Sequence, residues 1–273
     1  MKIKNALFLT SLWILLALLF NSFIYIWLGK EAALQFFVGY LLEKSLSIDN
    51  LFVFILTFQV FHTPRRLQAK VLAWGILGAI VMRGFLIYFG IALVNTFHFI
   101  LPIFGLFLLY SALKMVLPQS EKKDLQKLKI LQLAKALFSV TADYRGNKFF
   151  VREAGRLLAT PLFLVLLVVE STDLIFALDS IPAIFGVTRD PFIIYTSNIF
   201  AILGLRSLFF VLSEILDLFR YLRFGIAFLL GFIGFKMVLA PYYSISLAVS
   251  LLVIVLSMTV TIILSLLFPK TDK

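Results

Sequence analysis

The sequence consists mainly of long apolar runs, each closed by charged, proline or turn residues. A helix of about 20 apolar residues crosses the hydrocarbon core of a bilayer, so each run predicts a transmembrane helix. The eight predicted spans are residues 6–28, 34–60, 70–95, 98–117, 159–186, 192–213, 222–240 and 243–268. Only 14% of the 273 residues are charged, against about 25% in soluble domains. The fold class predicted is an all-α polytopic membrane protein.

Eight spans place each terminus and each connection on one of the two sides of the membrane. The basic residues are distributed unevenly between these two sides. Lys30 and Arg189 fall on one side, and eighteen bases fall on the other. The eighteen are Lys2, Lys4, Arg65, Arg66, Lys70, Lys122, Lys123, Lys127, Lys129, Lys135, Arg145, Lys148, Arg152, Arg156, Arg220, Arg223, Lys270 and Lys273. Since cytoplasmic loops carry the excess of Lys and Arg, both termini are predicted to be cytoplasmic. The net charge of +11 is therefore assigned to the membrane face and not to nucleic acid.

The spans fall into five predicted segments. Residues 1–33 form an N-terminal anchor, 34–117 a first repeat, 118–158 a basic cytoplasmic linker, 159–241 a second repeat, and 242–273 a C-terminal helix and tail. The linker alternates lysines with leucines, as does an amphipathic helix on an anionic leaflet. A solvated, partly ordered connector is the alternative. If the chain is a scaffold, the basic linker is expected to recruit a cytoplasmic partner.

The two repeats share an order of unusual residues. Two acids six residues apart open each half, followed by a span with one arginine and a span that ends near one lysine. The corresponding pairs are Glu43 and Asp173, Asp49 and Asp179, Asn50 and Ser180, Arg83 and Arg206, and Lys114 and Lys236. Each half has three spans, an odd number, so the second half must be inverted relative to the first. Inverted repeats characterise secondary transporters, whose substrate site lies near the midplane.

Five carboxylates lie inside the predicted spans, where each charge costs roughly 2.5–3.5 kcal/mol at the bilayer centre. They are Glu43, Asp49, Glu170, Asp173 and Asp179. Arg83 and Arg206 are the predicted counter-charges, and purely structural ion pairing is the alternative. With Asn50 and the helpers Ser47, Ser180 and Asn198, these acids form a candidate cation site.

All of these candidate ligands are oxygen donors, the type that suits Mn²⁺, Mg²⁺ and Ca²⁺. The chain has no cysteine, and its two histidines, His62 and His98, lie in connections at opposite ends of the membrane. At 100° per residue, Asp49 and Asp179 point about 120° away from Glu43 and Asp173. Pro182 and the long first acidic span therefore suggest broken helices, whose freed carbonyls complete the coordination.

The same residues carry a resemblance to a known family. Glu43–Phe54 (EKSLSIDNLFVF), Glu170–Gly186 (ESTDLIFALDSIPAIFG) and Thr196–Arg206 (TSNIFAILGLR) resemble the TerC family of integral membrane proteins, most closely its Alx branch. The resemblance extends over almost the whole chain and implies export of manganese ions, with the six candidate ligands on the family's acidic motif. The family is named after tellurium-resistance operons. Its Alx type carries a further span ahead of Ala6, which is not expected here.

The predicted function is export of divalent cations, most of all Mn²⁺, from the bacterial cytoplasm through a midplane acidic site in exchange for protons. No resident cofactor and no catalytic residue is predicted, since GxxxxGK[ST], GxGD, HExxH and GxSxG patterns are absent from the sequence. The alternatives are a Ca²⁺ or Mg²⁺ transporter and a scaffold for a metal- or tellurium-stress complex. The sequence leaves the oligomeric state open.

Overall fold

The computed structural model describes residues 3–97, 99–117, 131–132, 136–153, 155–215, 221–243 and 245–268, and of residues 49, 214 and 215 the backbone alone. Nine α-helices and one small β-hairpin make up this described part. The helices are α1 (Ile3–Leu28), α2 (Lys30–Val60), α3 (Arg65–Thr96), α4 (Ile100–Val116), α5 (Pro161–Phe185), α6 (Pro191–Leu203), α7 (Leu205–Ile215), α8 (Leu222–Leu239) and α9 (Leu247–Leu267). The predicted all-α membrane class is confirmed.

Local residue choices explain where several helices begin. Gly29 separates α1 from α2 with φ at 89°, in the left-handed region that glycine adopts at least cost. At the start of α6, the Asp190 carboxylate accepts hydrogen bonds from the amides of Phe192 and Ile193, and Pro191 occupies the first turn. The Ser246 hydroxyl caps α9 through the Val249 amide.

Membrane-spanning capacity is clear for most of the predicted spans. By length and composition, five described helices can cross a bilayer, namely α1, α3, α5, α8 and α9, and the bent pair α6–α7 makes six. Helix α4 has 17 residues and is a shorter apolar helix. Helix α2 carries three charges near its centre, Glu43, Lys44 and Asp49. The count of eight spans stays a prediction, although a helix lies at each of the eight positions.

The expected breaks in the two acidic helices are wrong. Helix α2 is continuous over 31 residues, and α5 continues through Pro182, which lies in its last turn, where the lost amide disturbs little of the helix. The break occurs instead at Gly204, where α6 and α7 meet with a bend of 41°. The Lys44 ammonium of α2 donates to the freed carbonyl of Ala201, at 3.1 Å. This contact ties α2 to the bend between α6 and α7.

Helices α4 and α8 pack closely against each other. They run antiparallel, because Arg223 at the start of α8 donates to the carbonyl of Val116 at the end of α4. Gly105 and Gly234 face each other at the crossing, and a Cβ added at either would lie 2.7 Å from the other's carbonyl oxygen. Glycines at both positions therefore allow backbone contact between the two helices.

A β-hairpin precedes α5 and was not predicted from the sequence. Strands β1 (Phe150–Glu153) and β2 (Arg156–Ala159) pair antiparallel, with Arg152 opposite Leu157. Aromatic rings anchor the hairpin, since Phe150 packs on Phe163 of α5. The end of the bundle where this hairpin lies is called the linker end below. The leucine and lysine pattern predicted as an amphipathic helix falls mainly on residues outside the described part.

Tyr144 connects the linker to the turn between α2 and α3. Its hydroxyl donates to the Phe61 carbonyl at 2.8 Å and pairs with the Thr63 hydroxyl at 3.0 Å. Burial raises the pKa of the Tyr144 hydroxyl, with the Thr63 hydrogen bond opposing the rise, so the hydroxyl stays a donor at neutral pH.

Replacing Tyr144 with Phe should loosen this turn. We expect the free energy of unfolding to fall by about 1–3 kcal/mol, because the Phe61 carbonyl and Thr63 hydroxyl lose their partner. Thermal unfolding of the detergent-solubilised protein measures the change. Tyr242→Phe is the matched control, since Tyr242 is exposed and lies far from the turn in the chain. Equal melting of the two variants would show that the contact stabilises nothing.

Candidate functional site

One face of α2 supplies three polar side chains to the bundle interior. Glu43, Ser47 and Asn50 are spaced four and three residues apart, so they share a helix face, and all three are buried. The Ser47 hydroxyl donates to the Glu43 carboxylate at 3.3 Å. The Asn50 amide nitrogen reaches across to the Asp173 carboxylate of α5 at 3.4 Å.

Arg83 enters this site on the buried stripe of α3. Gly75, Ala79, Arg83 and Ile87 recur every four residues and are all buried, so the arginine lies on the face that packs inward. Its side chain is 1% exposed. The small residues that precede it let α5 approach, as the Gly75 position lies against Val169.

The Arg83 guanidinium lies between two carboxylates from different halves of the chain. It forms a close ion pair with Glu43 through Nη1, and its Nη2 lies 3.1 Å from Asp173 Oδ1. Nε reaches the second Asp173 oxygen at 3.5 Å, which gives a bidentate pair. Nη1 also donates to the Asn198 side-chain oxygen at 2.9 Å and to Ser180 Oγ at 3.4 Å. These contacts join α2, α3, α5 and α6 at one point.

The second acid of α5 faces a different direction, as the helical geometry requires. Asp179 lies about 120° around α5 from Asp173 and is half-buried. It accepts a hydrogen bond from the Ser111 hydroxyl of α4 at 2.8 Å. Sequence reasoning missed Ser111, although its place one turn before Lys114 in an apolar helix was an available signal.

A cavity of about 280 Å³ connects these two groups of residues. Glu43, Asn50 and Ser180 line it beside the Arg83 ion pairs, and Asp179 and Ser111 line it farther out. Lys114, in the last turn of α4, is exposed and lies at the linker end of the same cavity. The Asn50 side-chain oxygen is buried and accepts no hydrogen bond from any described residue. The cavity thus brings oxygen atoms from both halves to one space.

Two further candidates, Glu170 and Arg206, do not line this cavity. Glu170 is half-buried against α3, with its carboxylate in the space a Cβ of Gly78 would fill, and its buried Oε2 has no partner among the described residues. Arg206 of α7 is exposed and makes no hydrogen bond or ion pair with the part of the chain that the structure describes. The side chain of Asp49 and all of His98 lie outside the described residues. His62 lies in the turn after α2.

The predicted ligands that the structure describes therefore do not converge on one point in this conformation. No group of three acidic or histidine side chains that could hold an ion occurs among those the structure describes. One physical reason is Arg83, whose guanidinium occupies the space between Glu43 and Asp173 and forms ion pairs with both. Glu43, Asn50 and Asp173 lie together beside their counter-charge, Arg83. The helpers Ser47, Ser180 and Asn198 bond either to Glu43 or to Arg83. Asp179 lies at the far side of the cavity.

The fold and this site define a class of protein. The described helices form a multi-pass membrane bundle whose exterior carries many exposed large apolar side chains and whose interior holds charged groups. Such an arrangement is the reverse of a soluble globule and is typical of an integral membrane protein with a functional interior.

Comparison with known proteins identifies the family. Residues 28–273 match the profile of the family described as "Integral membrane protein TerC family". A membrane protein of Myxococcus xanthus, STKORF319, is 44% identical over 265 residues, covering 97% of this chain and 83% of its own. A protein of Escherichia coli (strain K12) named as a membrane-bound redox modulator, Alx, is 43% identical over 273 residues, covering 97% and 85%. The chain belongs to the TerC family.

The family extends beyond bacteria. The thylakoid membrane protein TERC of Arabidopsis thaliana is 47% identical over 246 residues, which cover 90% of this chain and 64% of the plant protein. No solved structure is significantly similar to this chain.

Proposed function

We propose that this chain is a secondary transporter that exports divalent cations, with Mn²⁺ as the main cargo, across the bacterial plasma membrane. The observation that carries the proposal is the cavity that is lined both by Lys114, in the last turn of α4, and by buried oxygen atoms of both halves. Glu43, Asn50 and Asp179 line it. Carboxylate and amide oxygens are the ligands that Mn²⁺ shares with Mg²⁺ and Ca²⁺, so these ions are the alternative cargo.

The packing of the helices supports two inverted repeats. In the proposed halves, α2, α3 and α4 correspond to α5, the bent pair α6–α7, and α8. Helix α2 packs against α6 as α3 packs against α5, and α4 packs against α8. Exchanging the two halves leaves this set of contacts unchanged, as a two-fold axis through the Glu43–Asp173 region requires. Alternating access by exchange of the two halves' conformations follows from such symmetry.

Export against the membrane potential needs an energy source. Moving a divalent cation outward against an inside-negative potential of 100 mV costs about 4.6 kcal/mol, at about 2.3 kcal/mol per charge. Exchange with incoming protons supplies it if carboxylates of the site are protonated when the cation leaves. Asp179 lies on the cavity wall and is proposed as one proton carrier. The orientation with both termini in the cytoplasm rests on the distribution of basic residues.

The names of the relatives bear on rival functions. One relative is named as a redox modulator, but this chain has no cysteine, so redox chemistry through its own thiols is excluded. We propose no enzymatic activity and no resident cofactor. Recruitment of a cytoplasmic partner by the basic linker is kept as the alternative that the next experiment separates from transport.

Asp179→Asn should abolish manganese export. The amide still accepts the Ser111 hydrogen bond but cannot bind a cation as a charged ligand or carry a proton. We would measure cellular manganese in a manganese-sensitive bacterial host that expresses wild-type or variant chain at matched membrane abundance. The wild type should lower cellular manganese and the variant should not. Asp143→Asn is the matched control, because Asp143 is exposed and lies in the linker.

Other outcomes discriminate between the alternatives. If neither wild type nor variant changes manganese while both insert normally, manganese export is wrong. Loading with Ca²⁺ or Mg²⁺ then separates another cargo from the scaffold role, which predicts no flux of any cation. If Asp179→Asn exports as well as the wild type, transport stands but its assignment to this cavity does not.

A further inference from the structure

The repeat makes Arg83 and Arg206 equivalent, and it also makes Glu43 and Asp173 equivalent. We infer that the two arginines alternate as the counter-charge of this one carboxylate pair. Arg83 holds the pair in the conformation described above, and Arg206 replaces it in the conformation open at the opposite end. The inference rests on the proposed function, because it needs two states related by exchange of the repeats.

Only one guanidinium fits between the two carboxylates. A two-fold axis that exchanges the halves maps Glu43 onto Asp173 and Asp173 onto Glu43, so the pair maps onto itself. The same operation moves Arg83 onto Arg206. The repeat symmetry therefore relates both arginines to the same carboxylate pair, Glu43 and Asp173. In this conformation Arg83 bonds both carboxylates and is fully buried. Their occupancy must be mutually exclusive.

Arg206 is placed to take over this role. A small cavity of about 20 Å³ is lined by both Arg206 and Asp173, together with Gly75, Ala79 and Leu205. Arg206 is exposed and forms no ion pair among the described residues. It follows the helix bend at Gly204. A change of that bend moves Arg206 relative to Asp173 without breaking either acidic helix.

One buried acceptor without a donor among the described residues marks the position to which Arg206 would donate in the other conformation. Arg83 donates to Ser180, and the repeat equivalent of Ser180 is Asn50. The buried side-chain oxygen of Asn50 accepts no hydrogen bond from the described residues. By symmetry, Arg206 would donate to Asn50 when it replaces Arg83. The unsatisfied oxygen is thus explained as an acceptor used in the other state.

The two ends of the bundle differ as the alternation requires. Ser111 lines the cavity beside Lys114 at the linker end. Its repeat equivalent, Ile233, is 2% exposed and touches the position of Gly186. Lys236, the equivalent of Lys114, is half-buried and donates to Ser250 at 2.8 Å. Ser111 and Lys114 are therefore more accessible than Ile233 and Lys236 while Arg83 holds the pair.

Thiol labelling tests the alternation, since the chain has no cysteine of its own to give background. Single Ser111→Cys and Ile233→Cys chains would be labelled with a membrane-impermeant thiol reagent, applied to each side of sealed vesicles. Adding Arg206→Gln should reduce Ile233→Cys labelling at least fivefold and leave Ser111→Cys labelled. Adding Arg83→Gln should have the opposite effect: labelling of Ile233→Cys should rise and labelling of Ser111→Cys should fall. Arg189→Gln, at an exposed arginine, is the matched control and should change neither.

The alternation is overturned if Arg206→Gln changes neither site, or if the two arginine variants shift labelling in the same direction. Should Arg83→Gln fail to reach the membrane, Arg83→Lys takes its place, and Arg206→Gln at the two sites still decides. The readout needs no transported ion. Opposite shifts without manganese export would leave the alternation standing and the proposed cargo wrong. Export without any shift would leave the cargo standing and the alternation wrong.

Discussion

Replacing both Arg83 and Arg206 with Gln is expected to lower the free energy of unfolding by about 3–5 kcal/mol. Breaking a buried ion pair by removing one partner leaves an uncompensated charge, and here two carboxylates, Glu43 and Asp173, lose their counter-charge together. Both are at most 3% exposed, so water cannot replace the guanidinium without entering the site. Thermal unfolding in detergent, with yield in the membrane as a second readout, measures the loss.

The single variants separate the two arginines. Arg206→Gln alone should melt close to the wild type, because Arg206 is exposed and unbonded within the described residues. Arg83→Gln alone should lose less than the double variant if Arg206 takes its place. Adding Glu43→Gln and Asp173→Asn to the double variant should recover stability, since no buried charge of the pair then remains. A double variant as stable as the wild type would show that the ion pairs contribute nothing.

Gly105→Val should separate α4 from α8 and abolish a stable bundle. A Cβ at this position would lie 2.7 Å from the Gly234 carbonyl oxygen and 3.0 Å from the Met237 Cβ, so backbone must move. We expect a loss of about 1–3 kcal/mol for Gly105→Ala, and a larger one for Val, as overpacking forces the helices apart. Transport should fall with it, because α4 carries the Ser111 that holds Asp179.

A matched control lies on the partner helix. A Cβ at Gly231 would meet only the Ala112 Cβ, at 3.8 Å, which is ordinary contact. Gly231→Ala should therefore melt at or slightly above the wild-type temperature, since alanine favours a helix over glycine. Thermal unfolding of both alanine variants in the same detergent compares them directly. Equal stability would show that α4 and α8 can move apart at no cost.

Much of the site's composition could be predicted from the sequence. Charged residues inside apolar runs are costly in lipid, so Glu43, Asp173 and Arg83 had to face the interior. Helical periodicity also placed Ser47 and Asn50 on the face of Glu43, and it separated Asp179 from Asp173 by about 120°. Both arrangements are present in the structure. These predictions succeeded because they depend on one helix at a time.

Other features depend on contacts between helices and were missed or wrongly assigned. The break was expected at Pro182, but it lies at Gly204, where Lys44 bonds the Ala201 carbonyl. A proline in the last turn removes a single amide and leaves the helix intact, whereas a glycine between two short helices permits the bend. Nothing in the local sequence pairs Lys44 with a carbonyl 157 residues away.

The sequence by itself determined the membrane class and the family, because apolar length, charge cost and residue order are properties of the linear chain. The inverted repeat stays a prediction from the same residue order. Tertiary structure alone decided which charges meet. It placed Arg83 between Glu43 and Asp173, directed Asp179 to Ser111, and left Arg206 without an ion pair among the described residues. The physical reason is that an ion pair depends on the distance between side chains of different helices, and helix packing sets that distance.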